Sequence, residues 1–299
     1  MDRDEVARTL AWSPWLPLKE SWLESRLPSL PGLYRIRRVG RQDLDYVGQT
    51  GAGDMTLKKR LGLLRGIYAA EMPYRAPHTA GPALWALRHG TACDFEASVV
   101  PIEGSTQWRK GWEAVAISLY RQDHGKSPTV EFGRMPAGYR MSSGNDAKLV
   151  AAEKRFRGGL TAAIDASHSP SLPPVGPLAG DPYAREWCGQ RWSPWVPLSA
   201  VTSQIGTGAV GLYRIRSEGS TQLLYIGQGR VRARLCAHGQ KVLAADHVQG
   251  QIFAGASRLE CSCVLSESWL PHQLLELEND LIAAHIVATG AVPAAQFLG

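Results

Sequence analysis

The chain has 299 residues, enough for two domains of ordinary size, and its formal net charge of +6 favours a polyanionic partner. Apolar residues make up 44% and charged residues 20%, a balance that excludes a largely disordered chain. No apolar run reaches the roughly 18–20 residues that span a bilayer, and the charged N-terminus is unlike a signal peptide, so we expect a cytoplasmic protein.

The first 144 residues contain an ordered series of elements. A Trp-Ser-Pro-Trp box at residues 12–15 predicts an extended strap over a core, since tryptophan buries a large area and proline resists regular structure. A hairpin, a basic helix, a third strand and a longer helix follow, and the longer helix carries Glu113 and stops at Gly125. These elements are predicted at Gly32–Arg37, Leu44–Gln49, Leu57–Arg65, Phe95–Val100 and the segment before Gly125.

A connecting region follows the first series. Residues Asn145 to Ala166 predict a helix with a basic cluster at Lys154, Arg155 and Arg157. The stretch from Ser167 to Pro182 is rich in proline, glycine and serine, which is typical of a linker.

The same series then returns, which shows an internal repeat. The box Trp-Ser-Pro-Trp-Leu-Pro-Leu at residues 12–18 recurs at 192–198 with one conservative difference. Gly-Leu-Tyr-Arg-Ile-Arg at 32–37 recurs at 211–216, and Tyr-Val-Gly-Gln at 46–49 recurs as Tyr-Ile-Gly-Gln at 225–228. Glu113 and Gly125 match Glu278 and Gly290, both displaced by 165 residues.

The repeat sets the predicted fold. We expect an α+β protein with two tandem domains, each a three-stranded antiparallel-type sheet flanked by helices. The predicted boundaries are 1–144 for the first domain, 145–183 for the helix and linker, and 184–299 for the second domain. The second copy's helix and third strand are predicted at Val231–His238 and Leu259–Leu265.

The five cysteines are odd in number and scattered, so a disulfide framework is not expected. Cys236, His238, Cys261 and Cys263 offer an alternative, a zinc site with four ligands. We disfavour it, because ligands two apart on a helix point to different faces whereas zinc ligands must converge.

The paired motifs Gly32-Leu33-Tyr34 with Tyr46-Val47-Gly48, and their second copies at 211–213 and 225–227, resemble the GIY-YIG nuclease family. The resemblance covers most of each half. It implies a phosphodiester hydrolase that uses two tyrosines, a helix arginine, and a glutamate that holds one divalent metal, Mg²⁺ or Mn²⁺. The positions that match this pattern are Tyr34, Tyr46, Arg60 and Glu113 in the first copy, and Tyr213, Tyr225, Arg234 and Glu278 in the second.

These residue types suit the implied chemistry. An arginine fork matches two phosphate oxygens and stays charged, while a glutamate that holds Mg²⁺ helps neutralise the leaving oxygen. Tyr34 and Tyr213 are expected to activate the attacking water, and Tyr46 and Tyr225 to hydrogen-bond within the site. We expect the motif glycines Gly48 and Gly227 to let a phosphate approach closely.

The two copies differ where the family usually offers His or Tyr, four residues after the arginine. The second copy has His238 there, which could orient or deprotonate a tyrosine or water, but the first copy has Leu64, so the second site is expected to be more complete. The family's closing asparagine is replaced by Glu131 and Gln296. Gln296 can keep an amide hydrogen bond, whereas Glu131 adds a charge that puts activity of the first copy in doubt.

The leading hypothesis is an endonuclease on double-stranded DNA whose two copies act within one chain as a pseudo-dimer, with a restriction-like or defence role as one option. The alternatives are a nucleic-acid-binding protein in which one or both copies are inactive, and a scaffold protein that only reuses the fold. Each motif residue alone has a structural explanation, and the Trp boxes are expected to pack rather than to stack on bases. Arg35 and Arg37 are expected to be solvated strand residues, or else a stripe that follows phosphates.

Overall fold

The computed structural model describes residues 3–23, 27–142, 158–160, 168–220, 222–243 and 247–298. The chain forms two compact units. The first unit comprises Ala7–Arg109 and Ser127–Ser171, and the second comprises Met1–Val6, Lys110–Lys126 and Leu172–Gly299. The α+β class predicted from the sequence is confirmed, and the domain boundaries at 144 and 184 stay predictions.

The first unit is built on an antiparallel sheet with the strand order β1-β4-β2-β3. Its strand β2 carries Leu33, Tyr34 and Ile36, which are all fully buried. The end of α1, helices α2 to α4 and the start of α5 belong to the same unit. The bounds are α1 Arg3–Thr9, β1 Leu16–Pro17, α2 Leu18–Ser21, β2 Gly32–Arg38, β3 Leu44–Gln49, α3 Leu57–Gly62, α4 Gly81–Thr91, β4 Phe95–Pro101 and α5 Thr106–His124.

The second unit repeats this sheet with the order β11-β10-β12-β9, again antiparallel. Short two-residue ladders, β5 with β6 and β7 with β8, lie between the two sheets in sequence. The bounds are β5 Tyr139–Arg140, β6 Gly159–Leu160, β7 Glu186–Trp187, β8 Gln190–Arg191, β9 Val196–Pro197, α6 Val201–Gln204, β10 Val210–Ser217, β11 Leu223–Arg230, α7 Val231–Lys241, α8 Val248–Ala254, β12 Leu259–Leu265 and α9 Pro271–Thr289.

Each sheet has a fourth strand that the sequence did not predict, formed by the two residues that follow the Trp-Ser-Pro-Trp box. Within the box, the Ser13 amide donates to the Val99 carbonyl of β4 at 2.8 Å, and the Ser13 hydroxyl accepts from the Val99 amide at 3.0 Å. Ser193 binds β12 in the same way, accepting from the Cys263 amide at 3.0 Å. The box therefore covers an otherwise open sheet edge, where proline is tolerated because one side of the strand needs no ladder partner.

The motif glycines set how closely the strands and tyrosines approach. A side chain on Gly32 would collide with the carbonyl of Val100 on β4, and one on Gly211 would collide with Val264 on β12. These glycines therefore let the central strand of each sheet lie against its neighbour.

Residues 110–126, which are most of α5 and the two residues after it, belong to the second unit. There the fully buried Arg121 forms a two-point ion pair with Asp280 on α9, at 2.9 and 3.0 Å. Ser118 donates to the same carboxylate at 2.9 Å, and Asn279 donates to the carbonyl of Ala114 at 3.1 Å. Polar pairing thus joins α5 to α9 inside the second unit.

Several helical predictions need correction. The sequence did not predict α4 or α8, and the helix expected after Leu57 continues from Leu63 to Tyr68 as a 3-10 helix. Of the helix expected over residues 145–166, the structure describes only residues 158–160, and Gly159–Leu160 form strand β6 there. Glycine's wide backbone freedom suits that extended pairing better than a helix interior. The basic cluster at Lys154, Arg155 and Arg157 lies outside the described residues.

Candidate active sites

The second unit brings together all five side chains predicted for the second site. Tyr213 comes from the central strand β10, Tyr225 from β11, Arg234 and His238 from α7, and Glu278 from α9. Tyr213 pairs in register with Gly227, two residues after Tyr225, so both tyrosines lie on one face of the sheet. Arg234 and His238 are one helical turn apart and share a helix face.

Short contacts connect this cluster. The Tyr213 hydroxyl lies 3.0 Å from Nε2 of His238, and Nε of Arg234 donates to the same hydroxyl at 3.4 Å. The two tyrosine rings stack with centroids 6.0 Å apart, and the Tyr225 ring lies 4.5 Å from the His238 ring. The side chains predicted from the repeat therefore form one contiguous polar group.

Burial dominates the electrostatics of the second site. It raises the pKa of Glu278 to about 7, although Arg234 opposes the shift, and Glu278 keeps partial exposure. Burial also raises the pKa of Tyr213 and of Tyr225, and lowers the pKa of His238 to about 4. At neutral pH the site thus holds a neutral imidazole, neutral phenols, an arginine and a glutamate close to its titration point.

The first unit places three of its four predicted residues on equivalent elements. Tyr34 lies on β2, Tyr46 on β3 and Arg60 on α3, and the tyrosine centroids are 6.1 Å apart. Arg60 donates to the carbonyl of Pro77 at 3.2 Å. The fourth residue, Glu113, lies on α5 within the segment that belongs to the second unit, so its assignment to the first site stays a prediction.

A histidine that the sequence analysis missed completes the first cluster. His78 follows Pro77 in the loop before α4, is 1% exposed, and places Nε2 2.7 Å from the Tyr34 hydroxyl. Its ring lies 5.9 Å from those of both Tyr34 and Tyr46. The expectation that the second site is the more complete one rested on Leu64, which is a fully buried core residue; the structure places an imidazole in the first cluster as well, from another loop. No spacing in the sequence marks His78.

The motif glycines Gly48 and Gly227 make room for the tyrosines. A side chain on Gly48 would lie 2.6 Å from the ring carbon that bears the Tyr34 hydroxyl, and one on Gly227 would collide with Tyr213. The expectation that these glycines also let a phosphate approach closely stays a prediction. The absent side chains make room for the tyrosine rings that cross above the neighbouring strand.

The two residues in the place of the family's asparagine have the same structural role in both copies. Glu131 accepts a hydrogen bond from the Val47 amide at 2.9 Å, and Gln296 accepts from the Ile226 amide at 2.9 Å. Each acceptor therefore secures the backbone between the motif tyrosine and glycine. Glu131 is 7% exposed and its carboxylate fulfils the function of an amide oxygen, so its charge does not set the first copy apart in this respect.

The strand arginines near the Trp boxes are packing residues. Arg37 lies 4.0 Å above the Trp15 ring and bonds Glu96 at 2.6 Å, and Arg35 lies 4.7 Å above the same ring. Arg214 is fully buried and lies 4.3 Å above Trp192. The expectation that these arginines are solvated strand residues is therefore wrong, because guanidinium–indole stacking and ion pairs occupy their side chains. The alternative of a stripe that follows phosphates stays a prediction.

The described residues contain no group of three or more His, Cys, Asp or Glu side chains that could hold a metal ion. The zinc alternative at Cys236, His238, Cys261 and Cys263 thus finds no support within that part of the chain. A magnesium site need not contain three such side chains, because Mg²⁺ can be held by a single carboxylate and keeps most of its coordination shell for water and substrate phosphate.

No protein-family model, curated protein or solved structure matches this chain. The resemblance to the GIY-YIG family consequently rests on the residues quoted above and on the way they are brought together. Across the described ranges, no helix is long and apolar enough to cross a membrane.

Proposed function

We propose that this protein is a metal-dependent endonuclease that hydrolyses DNA phosphodiester bonds, with two sites in one chain. The observation that carries the proposal is the convergence of Tyr213, Tyr225, Arg234, His238 and Glu278 from four separate elements of the second unit. A structural cluster of this size could be filled with apolar residues at lower cost, since buried polar groups must all find partners. The net charge of +6 suits a polyanionic substrate.

Each side chain has a role in phosphodiester hydrolysis. Arg234 contacts Tyr213 through Nε, and its guanidinium is the group that would bind phosphate oxygens. Tyr213 and its histidine hold and move the proton of an attacking water, and Tyr225 packs beside them to fix the geometry. Negative charge accumulates on the oxygens of the pentacoordinate phosphate in the transition state. The arginine stabilises this charge without changing its own protonation state.

Glu278 is the residue that would hold the divalent cation. Its carboxylate offers the hard oxygen ligands that Mg²⁺ and Mn²⁺ prefer, and its partial exposure leaves room for water and substrate oxygens to complete the shell. A bound cation would neutralise charge on the phosphate and leaving oxygens. The raised pKa of Glu278 means that cation binding competes with a proton.

The test is cleavage of supercoiled plasmid in Mg²⁺ or Mn²⁺, with EDTA controls. We expect Glu278→Ala and Tyr213→Phe to lower the cleavage rate by at least about 100-fold in the second copy, a loss typical of a removed transition-state contact. Glu267→Ala, at an exposed position outside the site, is the matched control and should cleave as the wild type does.

The pattern of products separates the possible roles of the two copies. If both are active, the wild type linearises plasmid, whereas Glu113→Ala and Glu278→Ala each only nick it. If Glu278→Ala alone abolishes cleavage, the first copy acts as a DNA-binding module. Absence of metal-dependent cleavage by the wild type on plasmid, modified DNA and single-stranded DNA would contradict the nuclease proposal.

A further inference from the structure

The two tryptophans of the second Trp-Ser-Pro-Trp box pack against an arginine of β10. The guanidinium carbon of Arg214 lies 4.3 Å from the centroid of the Trp192 ring and 4.6 Å from that of the Trp195 ring. Arg214 is fully buried, and the indole N–H of Trp192 donates to the carbonyl of Trp187 at 3.3 Å. We call Trp192, Trp195 and Arg214 the second clamp. Its cation–π contacts use the charge of the guanidinium but none of its N–H groups, which therefore still need acceptors.

A β-turn that precedes the box supplies these acceptors. Arg214 donates from one terminal nitrogen to the carbonyl of Pro182 and from the other to that of Ala184, the latter at 2.9 Å. The indole N–H of Trp195 donates to the carbonyl between them, that of Tyr183, at 3.1 Å. Three successive carbonyls thus converge on the second clamp and pair three of its donors, as burial requires.

The turn uses its own amides internally and leaves its carbonyls for the clamp. Its sequence Asp-Pro-Tyr-Ala at 181–184 has Asp and Pro at the first two positions, which β-turns favour. The Ala184 amide donates to the Asp181 carbonyl at 3.1 Å, and the Tyr183 amide donates to the Asp181 carboxylate at 2.9 Å. Burial lowers the pKa of Arg214 to about 9, whereas Asp181 favours its charged form. The turn therefore complements the clamp in charge as well as in hydrogen bonding.

The first box forms the same kind of group with β2. The guanidinium carbon of Arg35 lies 4.7 Å from the ring centroids of both Trp12 and Trp15, and we call these three residues the first clamp. All three are partly exposed. Arg35 donates from Nε to the Ser98 hydroxyl at 3.3 Å, but within the described residues neither its terminal nitrogens nor the two indole nitrogens donate to an acceptor. Helix α1 lies before this box in sequence, where the second copy has its turn.

Apart from this cover, the two clamps match closely. The Ser98 hydroxyl donates to the Ser13 carbonyl at 2.7 Å in the first copy, and Ser262 donates to Ser193 at 2.8 Å in the second. The next arginine along the strand lies 4.0 Å above the second tryptophan of the first box, and 4.1 Å above that of the second box. The first clamp therefore offers the donors that bind the turn in the second copy, and its partial exposure leaves them open to a ligand.

We propose that the first clamp binds a β-turn of a partner protein, one that carries an acidic residue followed by proline and presents successive carbonyls to Arg35 and Trp15. Tryptophan and arginine are enriched among the residues that contribute most to protein–protein binding. Burial lowers the pKa of Arg35 to about 10, so its guanidinium stays charged at neutral pH and attracts the acidic residue. Successive strand residues point to opposite faces, so the turn binds on the face away from Tyr34 and the inference does not depend on the proposed nuclease function.

The probe for this site is a peptide with the sequence of residues 180–186, cyclised so that the turn is preformed. It is added to the ¹⁵N-labelled full chain, in which Trp12→Phe and Trp15→Phe assign the indole N–H signals of the first clamp. We expect both signals to shift saturably with the peptide. The signals of Trp192 and Trp195 should stay in place, because the turn that covers them belongs to the same chain and competes at high effective concentration.

Variants of the arginine test its role in binding. Arg35→Met should weaken peptide binding by at least about tenfold, as loss of a central interface arginine does. Arg35→Lys keeps the positive charge but not the fork of donors, and we expect a similar loss. Unchanged Trp192 and Trp195 signals show that each variant is folded. Arg41→Met, at an exposed position between β2 and β3, is the matched control and should bind as the wild type does.

Two results would overturn the proposal directly: the turn peptide shifts neither indole signal of the first clamp, or it binds Arg35→Met as tightly as the wild type. A peptide of the same composition in scrambled order should cause no shift, and equal shifts from both peptides would show that the turn is not recognised. Shifts of the same signals by DNA but not by the peptide would assign the first clamp to phosphate binding and would likewise overturn the proposal.

Discussion

Under the proposed function, the glutamate of the second site shows how a residue can serve catalysis at a cost to stability. Glu278 is partly exposed and lies beside two tyrosines whose pKa values burial also raises, and Arg234 only partly compensates for its charge. A structural glutamate would gain more from a salt bridge of the kind that Glu260 makes with Arg216 at 2.8 Å. The uncompensated carboxylate is understandable where a cation completes the site.

This cost leads to a stability prediction that depends on pH. The folded-state pKa of Glu278 is about 7 and lies above the ordinary value of 4.5, so its ionisation opposes folding once the pH exceeds that lower value. The penalty grows as the pH rises from about 4.5 to about 7 and is complete above that range. We expect Glu278→Gln, measured in EDTA by thermal denaturation, to be more stable than the wild type at pH 8 and equally stable at pH 4.

The exposed Glu267 provides the control for this comparison, because Glu267→Gln changes the same chemical group outside the site. Its effect on the denaturation midpoint should be small and independent of pH. A Glu278→Gln effect of equal size at pH 4 and pH 8 would show that the carboxylate is not destabilised by its surroundings.

At the scale of elements, each sheet is closed on both sides by chain segments distant in sequence. The Trp-Ser-Pro-Trp box and the two residues after it cover one edge. On the other, Thr129 and Val130 bind the carbonyls of Leu44 and Asp45, and Ala294 and Ala295 bind those of Leu223 and Leu224. The following residues Phe132 and Phe297 both adopt positive φ, 57° and 64°, so the two C-terminal segments turn alike. Each sheet that carries a pair of motif tyrosines is thus held by other chain segments at both of its edges.

Substitutions at Glu131 test how much its hydrogen bond to the Val47 amide stabilises β3. Glu131→Ala leaves the buried Val47 amide without its side-chain acceptor, a change that costs about 1–3 kcal/mol in the free energy of unfolding. Glu131→Gln keeps an oxygen in place, as Gln296 does in the second copy, and should lose markedly less. Denaturant unfolding of the three proteins measures the difference. Equal losses for both substitutions would mean that the charge, not the hydrogen bond, is what stabilises this region.

The elements were largely predictable because the repeat samples each pattern twice. The strands at 44–49 and 259–265 begin and end as predicted, and Gly290 ends α9 in the left-handed conformation expected of a helix stop. The position of His78 was not predictable, since its approach to Tyr34 spans 44 residues and follows no periodicity. The role of Gly48 was missed for a similar reason: the side chain that needs the space lies on another strand.

At the scale of the whole molecule, the boundary between repeats in sequence is not the boundary between compact units. Helix α5 belongs to the first repeat by its match of Glu113 to Glu278, yet residues 110–126 are part of the second unit. The signal for this arrangement is chemical: Arg121 corresponds by position to Ile286, a core residue, and the arginine is fully buried. Sequence periodicity marks α5 as a helix with a buried face but does not identify the helix that covers it.

The buried acidic residues of α9 depend on Arg121 of α5 for compensation of their charge, and this leads to a prediction for the full chain. Asp280 and Glu276 are both buried against Arg121, at 2.9 and 3.6 Å, and Glu276 also accepts from the Leu172 amide at 2.7 Å. Removing one member of a buried ion pair leaves uncompensated charge and costs about 3–5 kcal/mol. We expect Arg121→Met to lower the free energy of unfolding by this amount, measured by chemical denaturation.

The exposed ion pair between Arg258 and Glu218, at 3.8 Å, gives the matched control, since such pairs contribute about 0–1 kcal/mol. Arg258→Met should therefore change stability little. Burial already raises the pKa of Asp280, so lowering the pH until the stranded Asp280 carboxylate is protonated should recover part of the loss in Arg121→Met. A loss as small as that of the control, or one that acid does not reduce, would show that α5 is not held by charge.

The fragment 184–299 lacks α5 and therefore also lacks Arg121, the partner of Asp280 and Glu276. We expect this fragment to fail to give a cooperative unfolding transition.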